Sequence, residues 1–392
     1  MKFTTIALGS AISVAYAAVP GDRSQFAERA TYAVVGKPEG FATGTTGGGS
    51  AACAIPSNVA ELKTWLTDST ARCIVLDKEY NFKGTEGTTT ETGCRPASNT
   101  CPGNGGQDAI NKASWCTNGN AGAGVTSISV TYDTAGVAGI NVRSNKSIIG
   151  VGSKGVIRGK GLRIANGAKN VIIQNIHITE LNPQYIWGGD AITVDGADLV
   201  WVDHCKVSLI GRQMFVAGTG ASNRVTLSNN EFDGSTSWSA TCDGHHYWAI
   251  YLTGSSDLIT MKNNYIHHTS GRSPKVGGNS LVHAVNNYWY ANSGHAFDNG
   301  AGGMVVAEGN VFQNVVTPLL ENAGQFFGSP STSANMVCST YLGHNCQLNS
   351  FGSSGTLGGT DTAFLANFKG KSIASASTAS SSVTSLAGVG KI

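Results

Sequence analysis

The sequence predicts an all-β solenoid, a parallel β-helix with long loop insertions that form a substrate groove on one side. Two observations support this fold class: short segments that alternate apolar and polar residues, and the recurrence of these segments along the chain. The composition, in addition, is too apolar and too low in net charge for a disordered chain. The chain has 392 residues, of which 52 are glycine and 13% are charged. Strands that recur without intervening helical patterns are typical of stacked solenoid coils.

A repeated pattern in the middle of the chain defines the coils. Each copy alternates apolar or small residues with spacers and then places an asparagine before a bulky residue, as in VTLSNNEF (225–232), ITMKNNYI (259–266), VHAVNNYW (282–289) and VVAEGNVF (305–312). The asparagines of this slot are Asn230, Asn264, Asn287 and Asn310, and we interpret Asn175 and His204 as their equivalents in earlier coils. Stacked asparagines can satisfy one another and the bent backbone at a buried turn.

The spacing of the repeats also bears on the alternatives, which are a β-propeller and a β-sandwich. The last repeats are 23 residues apart, whereas a propeller blade needs about 40–50 residues, so the β-helix is favoured. Two long insertions interrupt the coils, at 84–124 and 233–256. Because binding chemistry is usually carried by loops on a rigid scaffold, we expect these insertions to border the site.

The two ends of the chain differ from the repeated region. The first residues combine Lys2, a short apolar stretch and the small-residue pattern Ala15-Tyr16-Ala17, which is typical of a secretory signal. The predicted organisation is a signal peptide at 1–18, a pro-segment or N-terminal extension at 19–38, the β-helix domain at 39–372, and a Ser/Ala-rich tail at 373–392 that is either loose or packed along the solenoid. We therefore predict a secreted, extracellular protein.

Charge and hydropathy limit the partners of the chain. The formal net charge is only +2, which provides no broad basic field for nucleic acid. No apolar run reaches the length of a membrane span, so a membrane is not expected as a partner either. We expect a monomer.

Secretion makes the nine cysteines candidates for disulfides. Cys338 and Cys346 bracket a short loop and are natural partners, and we predict that Cys53 and Cys73 bond to each other. The odd number leaves one thiol over, and Cys205 in the strand-like LVWVDHCKV is the best candidate for a buried, inert one. No C-x-x-C spacing is present, which argues against zinc.

A segment rich in aspartate is the first candidate site. YIWGGDAITVDGADLVWVDH (185–204) contains Asp190, Asp195, Asp198 and Asp203, and clustered oxygens are typical of calcium sites. However, Arg212 in LIGRQMF falls near the same coil edge, and a cation beside Asp190 opposes a divalent-metal site. We therefore predict no metal and no cofactor, and interpret Asp195 and Asp198 as turn residues.

Five motifs in order resemble the fungal pectin lyases of polysaccharide lyase family 1: WGGDAITVDGADLVWVDH, IGRQ, ATCDGHHYWAIYL, SGRSPKV and LVHAVNNYWY. The similarity extends from EGFATGTTGGG to GSSGTLGGTDTAFLANFKGK, nearly the whole mature chain. The resemblance implies a right-handed parallel β-helix that cleaves methyl-esterified galacturonan internally by β-elimination. Pectate lyases share the fold and the VW-x-DH signature, but they need calcium to bind free galacturonate.

The resemblance also implies roles for four charged residues. Arg272 in SGRSPKV inherits the role of the proposed base, and Lys275 would lie close to the acidic function of the sugar. Asp190 matches an aspartate present throughout the family, and Arg212 stands where pectate lyases place an acidic calcium ligand. Two alternatives stay open: Arg272 only stabilises charge while another group takes the proton, and Asp190 forms a plain structural salt bridge with Arg212.

These residue types suit the expected chemistry. β-Elimination removes the proton alpha to the ester carbonyl and expels the adjacent glycosidic oxygen. The developing enolate needs positive charge, which Arg212 or Lys275 can supply. An arginine is a poor base at its free pKa, above about 12, and neighbouring cations disfavour its charged form. The cluster of cations is therefore compatible with Arg272 as the base.

A neutral sugar polymer calls for flat aromatic faces and a few hydrogen bonds. The platform candidates are Trp187, Tyr247, Trp248 and Tyr251, with Trp115 across the groove and Trp238 as a further candidate, whereas Trp201 and Trp289 are assigned to the core. His245 and His246 are interpreted as loop residues that frame Tyr247. In CRPA, Arg95 and Ala97 replace the usual CAPW stretch, and TNGN replaces a further aromatic. The outer subsites are thus expected to bind more weakly, or to tolerate less esterified pectin.

The same resemblance pairs Cys94 with Cys116, Cys101 with Cys242, and Cys338 with Cys346. The Cys101–Cys242 bridge would tie the two long insertions together beside the groove. Asn145 carries the chain's glycosylation sequon, NKS.

Two rival functions are also compatible with the sequence. The nearer is a calcium-dependent pectate lyase, and the other is a non-catalytic β-helix that only binds pectin. A galacturonan hydrolase would need several aspartates around a water molecule, and only Asp190 is convincingly placed for such a role.

Overall fold

Parallel strands stacked in successive coils form the main sheets of the structure. The structure is a computed structural model that describes Met1 and residues 32–103 and 105–392. Ala33–Ile392 pack as one unit. The predicted signal peptide at 1–18, apart from Met1, and most of the 19–38 segment lie outside the described residues. Among the described helices, none is long and apolar enough to cross a membrane.

The first sheet is an all-parallel ladder that runs the length of the solenoid. In the described part of the chain it contains ten strands: Cys53–Ala54, Arg72–Leu76, Lys146–Gly150, Lys169–Gln174, Asp198–Asp203, Val225–Ser228, Asp257–Lys262, Ser280–Val285, Met304–Glu308 and Gln325–Phe327. One inward-facing column shows how the coils align. Ile148, Ile173, Val202, Leu227 and Met261 pair in register from one strand to the next and are almost completely buried. Burial of each such side chain stabilises the fold by about 1.5–3 kcal/mol.

The second sheet consists of two parallel ladders joined by two long strands. The side ladder contains Glu79–Asn81, Val156–Arg158, His177–Leu181, Lys206–Ile210, Glu231–Asp233 and Tyr265–His267. The groove ladder contains Ile140–Val142, Leu162–Ala165, Ile192–Asp195, Phe215–Ala217, Ile250–Leu252 and Lys275–Val276. Both ladders end on Tyr288–Asn299, which pairs with Val311–Asn322, which in turn pairs with Ser350–Gly352. The three faces of a β-helix are thereby complete, and the predicted fold class is confirmed.

The insertion predicted at 84–124 is partly a sheet rather than a loop. Thr88–Arg95 pairs with Thr126–Asp133 along its whole length in the antiparallel direction. Asp108–Ala109 connects this hairpin to Tyr185–Ile186 on the solenoid. The insertion is therefore held to the β-helix by backbone hydrogen bonds.

Helices are short and lie outside the ladders. The longest, Val59–Thr67, begins at Asn58, whose side chain accepts hydrogen bonds from the Ala60 and Glu61 N–H groups, an arrangement that satisfies otherwise unpaired donors. It buries Leu62 and Leu66 against the core. The other helical segments are Gly40–Ala42, Ala97–Asn99, Lys112–Ser114, Thr134–Val137, Thr332–Asn335, Met336–Cys338, Ser339–Leu342, Ala363–Phe368 and Val383–Leu386.

The predicted asparagine ladder is confirmed. The side-chain amides donate in sequence from Asn230 to Asn264 (2.9 Å), from Asn264 to Asn287 (2.8 Å) and from Asn287 to Asn310 (3.1 Å). Asn310 continues the ladder to Asn349 (3.0 Å), which the sequence repeats did not include. Each ladder residue also donates to a backbone carbonyl, for example Asn264 to that of Leu227.

The interpretation of His204 and Asn175 as members of this ladder is wrong by one residue. Asp203 pairs with Ser228, so His204 stacks on Asn229 and Cys205 takes the position of Asn230. Asn175 likewise aligns with His204. These residues have φ angles of 58° (Asn175), 48° (His204) and 52° (Asn229), a left-handed conformation that asparagine tolerates well. Asn175, His204 and Asn229 therefore share a left-handed turn. Alignment of the apolar residues alone did not distinguish this turn position from the ladder position one residue further along the chain.

The Ser/Ala-rich tail packs along the solenoid, which decides between the two alternatives. Ala374 is fully buried, and Ser377 exchanges hydrogen bonds with the side chain of Asn286. Further along, Gly388 N–H donates to the Asn229 carbonyl and Gly390 N–H donates to Asn175 Oδ1. The tail thus runs back across successive turns of the first sheet.

Four disulfides cross-link the described residues, and they are the four pairs named from the sequence: Cys53–Cys73, Cys94–Cys116, Cys101–Cys242 and Cys338–Cys346. Cys205 is a free, buried thiol, and its burial raises its pKa to about 12. Asn145 is exposed at the turn before Lys146–Gly150, and its glycosylation stays a prediction.

Candidate active site

Turns that lead into nearby strands of the groove ladder carry the charged candidates, and the strand Ile250–Leu252 lies between those of Arg212 and Arg272. Asp190 precedes Ile192–Asp195, Arg212 precedes Phe215–Ala217, and Arg272 precedes Lys275–Val276. Neighbouring strands lie about 4.8 Å apart, so the turns before them also lie side by side. Sequence positions more than 80 residues apart are thereby brought to one edge of the β-helix.

Asp190 and Arg212 face each other across adjacent coils. Arg212 Nη1 lies 3.8 Å from Asp190 Oδ2, and Asp190 Oδ1 accepts a hydrogen bond from the Gln213 N–H. Burial raises the pKa of Asp190, although the charge of Arg212 opposes the shift. Burial also lowers the pKa of Arg212, with Arg272 acting in the same direction and Asp190 against it. The two arginines are therefore close enough to repel each other.

Trp187 provides the surface on which Arg212 lies. The guanidinium carbon is 3.6 Å from the ring centroid, a distance typical of a stacked cation–π contact. The ammonium of Lys112, from the first insertion, lies 5.6 Å from the same ring. Lys112 is exposed and forms no ion pair within the described residues. The sequence prediction missed it, because nothing in NKASW distinguishes it from an ordinary surface lysine.

Arg272 lies in a cradle of aromatic rings. Its guanidinium carbon is 4.7 Å from the ring of Trp248, 5.3 Å from Tyr251 and 5.5 Å from Tyr247. Its Nε is buried without a hydrogen-bond partner, and no carboxylate among the described residues pairs with it. The backbone of Arg272 is left-handed (φ 43°) and donates its N–H to His295 Nε2. A guanidinium held this way is free to receive a substrate.

Lys275 is held differently from the two arginines. Its ammonium forms an ion pair with Asp298 at 2.7 Å, and the two residues pair in register on adjacent strands. Asp298 is 7% exposed, and it was missed by sequence reasoning because it lies in a different coil. The positive charge of Lys275 is thus largely compensated, whereas Arg272 and Lys112 leave the site with an excess of positive charge.

The aromatic candidates divide between the groove and its edges. A groove of about 320 Å³ is bordered by Trp115, Tyr247, Trp248 and Arg272, while Trp187 and Tyr251 contact the two arginines. Trp201 and Trp289 are buried, as assigned. Trp238 does not border this groove but two other clefts. The suggestion that it serves as a platform for the substrate stays a prediction, and the lining of this groove does not support it.

Two buried side chains connect the walls of the groove: Gln107, which the sequence analysis did not single out, and His246, which it interpreted as a loop residue. The Gln107 amide donates to the carbonyls of Gly211 (2.7 Å) and Pro183 (3.0 Å), and its oxygen accepts from the Trp248 indole N–H. His246 bonds through Nε2 to the carbonyls of Arg212 and Trp248. Burial lowers the pKa of His246 to about 4, so it is neutral near pH 7. His246 therefore supports the Arg212 turn rather than only framing Tyr247.

Arg95 and Ala97, which replace the CAPW stretch of the similar family, have structural contacts within the first insertion. Arg95 forms a two-pronged ion pair with Asp108 at 2.6 and 2.8 Å, so its charge is compensated within the insertion. Ala97 begins the short helical turn Ala97–Asn99. Neither residue provides an aromatic surface at this end of the groove.

The four aspartates of 185–204 do not gather around one point. Asp195 pairs with Arg163 and Asp198 with Arg224, while Asp203 bonds to His204 and Ser228. Two groups of metal-ligating types occur elsewhere in the described residues: Glu231, Asp233 and His267, and His283, Glu308 and His344. In the first group Lys206 already bridges both carboxylates.

The second group is a buried ion-pair cluster. Glu308 Oε1 accepts hydrogen bonds from His283 (2.8 Å) and His344 (2.9 Å). Burial alone would raise the pKa of Glu308, but the two histidines outweigh it and lower the value to about 2. Hydrogen bonding to Glu308 raises the pKa of His344 in turn.

Comparison with solved structures shows which fold the chain adopts. The structure resembles a pectate lyase from Bacillus sp. N165, solved in complex with trigalacturonate, with a TM-score of 0.55 and 22% identity over 90% of this chain and 99% of the other. It also resembles a pectate lyase from Paenibacillus sp. 0602, with a TM-score of 0.56 and 16% identity over 91% and 96% of the two chains. At these identities the similarity shows the fold, a β-helix of the pectate lyase type.

Sequence comparison is more specific. The family profile described as pectate lyase matches residues 116–392. Pectin lyase B of Emericella nidulans is 62% identical over 365 residues, 92% of this chain and 94% of the relative. The pectin lyase of Colletotrichum gloeosporioides is 62% identical over 363 residues, with the same coverage. The chain therefore belongs to the pectin lyases of the pectate lyase family.

Proposed function

We propose that this pectin lyase cleaves methyl-esterified galacturonan within the chain by β-elimination, without calcium, and that Arg272 is the base. The observation that carries the proposal is the position of Arg212 beside Asp190. A guanidinium fills the place next to this carboxylate, so the pair presents a compensated charge to the groove instead of the clustered oxygens that calcium requires.

Each charged residue has a separate role in the proposed reaction. Arg272 takes the proton alpha to the ester carbonyl, and electrons move towards the carbonyl oxygen as the enolate develops. Arg212 supplies positive charge to that oxygen from its fixed position on Trp187. The enolate electrons then form the double bond of the new sugar end as the glycosidic carbon–oxygen bond breaks, and the oxygen that leaves takes up a proton from water. Lys275, held by Asp298, orients the acidic function of the sugar.

Asp190 is proposed as a positioning residue. Its carboxylate accepts the Gln213 N–H and faces the Arg212 guanidinium, so it fixes the turn that carries Arg212 and limits repulsion between the two arginines. A structural salt bridge and a positioning role would both use the contact between Asp190 and Arg212. If Asp190 positions Arg212, loss of the contact lowers turnover, whereas loss of a purely structural salt bridge lowers only the stability of the fold.

The aromatic groove accounts for a substrate without charge. Trp115, Tyr247 and Trp248 present ring faces, which bind sugar rings by stacking without requiring carboxylates. Methyl esters remove the negative charge of galacturonate, and the ester withdraws electrons without a metal. A fully ionised polymer keeps its negative charges and has no electron-withdrawing ester.

The proposal includes where the protein acts and its oligomeric state. The signal-like pattern at 1–18 and the four disulfides support secretion, because disulfides persist in oxidising compartments. We propose an extracellular monomer with the β-helix domain at 39–372, to which the tail at 373–392 is bound.

Product analysis tests the proposed activity. The wild-type protein is incubated with highly methylated and with de-esterified galacturonan, each with a chelator and with added calcium, and unsaturated products are followed by ultraviolet absorbance. The proposal expects activity on the methylated polymer that the chelator leaves unchanged. Activity that requires calcium would identify a pectate lyase, and a complete lack of products would favour a pectin-binding protein.

A further inference from the structure

The two long insertions meet in a rigid wall beside the active-site groove. The disulfide Cys101–Cys242 joins them, and the Ser239 N–H donates to the Gly105 carbonyl at 2.8 Å. On one side of this wall, Ala240 and Thr241 border the groove that contains Arg272. Trp238 belongs to the same stretch of chain but borders two other clefts, whose side of the wall we call the outer side.

Two clefts flank the ring of Trp238 on this outer side. One, of about 280 Å³, is bordered by Lys83, Glu180, Pro183 and Leu209. The other, of about 360 Å³, is bordered by residues that include Arg95, Asp108 and Tyr185, and it shares Asn99 with the active-site groove. Trp238 and Gln184 border both clefts. The two clefts therefore adjoin the same aromatic side chain.

The exposure of Trp238 is itself informative. Its relative exposure is 38%, although an indole gains from burial more than most side chains. Scattered exposed apolar residues are normal on protein surfaces, but this one stands between two concave surfaces on a cross-linked loop. A flat ring in such a position is suited to stacking against a sugar.

The charges around Trp238 are compensated within the protein. Lys83 pairs with Glu180 at 2.9 Å on one side, and Arg95 pairs with Asp108 at 2.6 Å on the other. The side-chain amide of Gln184 has no hydrogen-bond partner among the described residues, so it can both donate to and accept from hydroxyl groups. The surface thus offers an aromatic face and a free amide, without the excess positive charge found around Arg272 and Lys112.

We propose that Trp238 and Gln184 form a second, non-catalytic binding site for methyl-esterified galacturonan on the outer side of the insertion wall. The aromatic face stacks on a sugar ring, the amide bonds to its hydroxyls, and the compensated charges match a neutral polymer. A de-esterified polymer gains no charge attraction there. The choice of ligand rests on the proposed function, whereas the existence of the site does not depend on the role of Arg272.

The test counts binding events in a protein that does not turn over its ligand. Calorimetry with a methyl-esterified oligogalacturonide is performed on Arg272→Ala and on Arg272→Ala combined with Trp238→Ala. We expect the Trp238 substitution to remove one binding event, or to weaken it at least tenfold, and Trp238→Tyr to restore it in part. Met336→Ala, a change of an exposed residue elsewhere, is the control and should leave all binding events in place.

The outcomes separate this site from the catalytic proposal. Unchanged stoichiometry and affinity after Trp238→Ala would overturn the second site, as would a complete lack of binding by the Arg272→Ala protein. Equal binding of de-esterified oligomer at Trp238 would overturn the assigned ligand class. If wild-type protein forms no unsaturated products but the Trp238-dependent event persists, the proposed function fails while this site stands.

Discussion

Substitution of Asp190 by asparagine removes one charge from the active site and leaves its shape nearly unchanged. The asparagine oxygen can still accept the Gln213 N–H that Asp190 Oδ1 accepts at 2.9 Å. The lost contact is the attraction between Asp190 and Arg212, whose charged atoms are 3.8 Å apart. The variant therefore tests the carboxylate charge rather than the fold of the turn.

The separation sets the size of the effect. Two unit charges at this distance attract by roughly 4 kcal/mol at an effective dielectric constant near 20 and by about 1 kcal/mol in water. The side chains of Arg212 and Asp190 are 20% and 26% exposed, so we take a value between these limits, about 2 kcal/mol. If this energy holds Arg212 at the developing enolate, kcat falls by roughly 30-fold.

The assay is the initial rate of unsaturated-product formation from highly methylated pectin, with KM measured separately. A positioning role predicts a fall in kcat with little change in KM, while the thermal unfolding midpoint changes by only a few degrees. Asp198→Asn, which breaks the ion pair with Arg224 outside the site, is the matched control and should keep its rate within twofold. A folded Asp190→Asn protein with unchanged kcat would refute the reasoning.

Three further predictions follow from contacts outside the charged pair. Gln107→Leu leaves the Trp248 indole without its acceptor and should lower kcat/KM at least tenfold, with the fold checked by circular dichroism; an unchanged value would contradict its positioning role. Lys112→Met removes an unpaired cation near the site and should lower the rate on partly de-esterified pectin several-fold more than on fully methylated pectin, measured on matched substrates; equal effects would exclude this role. His344→Gln should lower the unfolding midpoint most between about pH 4.5 and 6.5. Because the pKa of His344 is raised above 6.5 in the folded protein, its charge stabilises the fold below pH 6.5, and this stabilisation is lost as the pH rises through the raised pKa. Because the pKa of Glu308 is lowered from 4.5 to about 2, its charge stabilises the fold above pH 4.5, and this stabilisation is lost as the pH falls towards 2. A pH-independent difference would contradict the ion pair.

The repeated part of the fold follows from the sequence because its pattern is local. The spacing of Asn264, Asn287 and Asn310 is enough to predict both the coils and the hydrogen-bonded ladder. The same pattern failed at His204, where the coil lacks the second asparagine and only backbone pairing could set the register. The antiparallel hairpin formed by the first insertion and the strand that follows it was missed because Thr88–Arg95 is almost entirely polar. The alternation of Ile128, Val130 and Tyr132 in Thr126–Asp133 therefore had no apolar partner segment to suggest the pairing.

The site was predictable only in part for a related reason. Asp190, Arg212 and Arg272 stood out within motifs, and the structure brings them to one edge of the β-helix. Asp298, Gln107 and Lys112 act through partners in other coils or insertions. Their importance depends on three-dimensional contacts, such as the ion pair between Lys275 and Asp298. No spacing in the sequence predicts these contacts.

The central claim is that an arginine in an aromatic cradle takes the proton without help from a metal. The most direct measurement is the rate of unsaturated-product formation from highly methylated pectin by Arg272→Ala, compared with wild type, in the presence of a chelator and with added guanidinium ion. The account predicts that wild type is unaffected by the chelator, that Arg272→Ala loses about 1000-fold in kcat, and that guanidinium restores part of it. A folded Arg272→Ala protein with a rate near wild type would contradict the account.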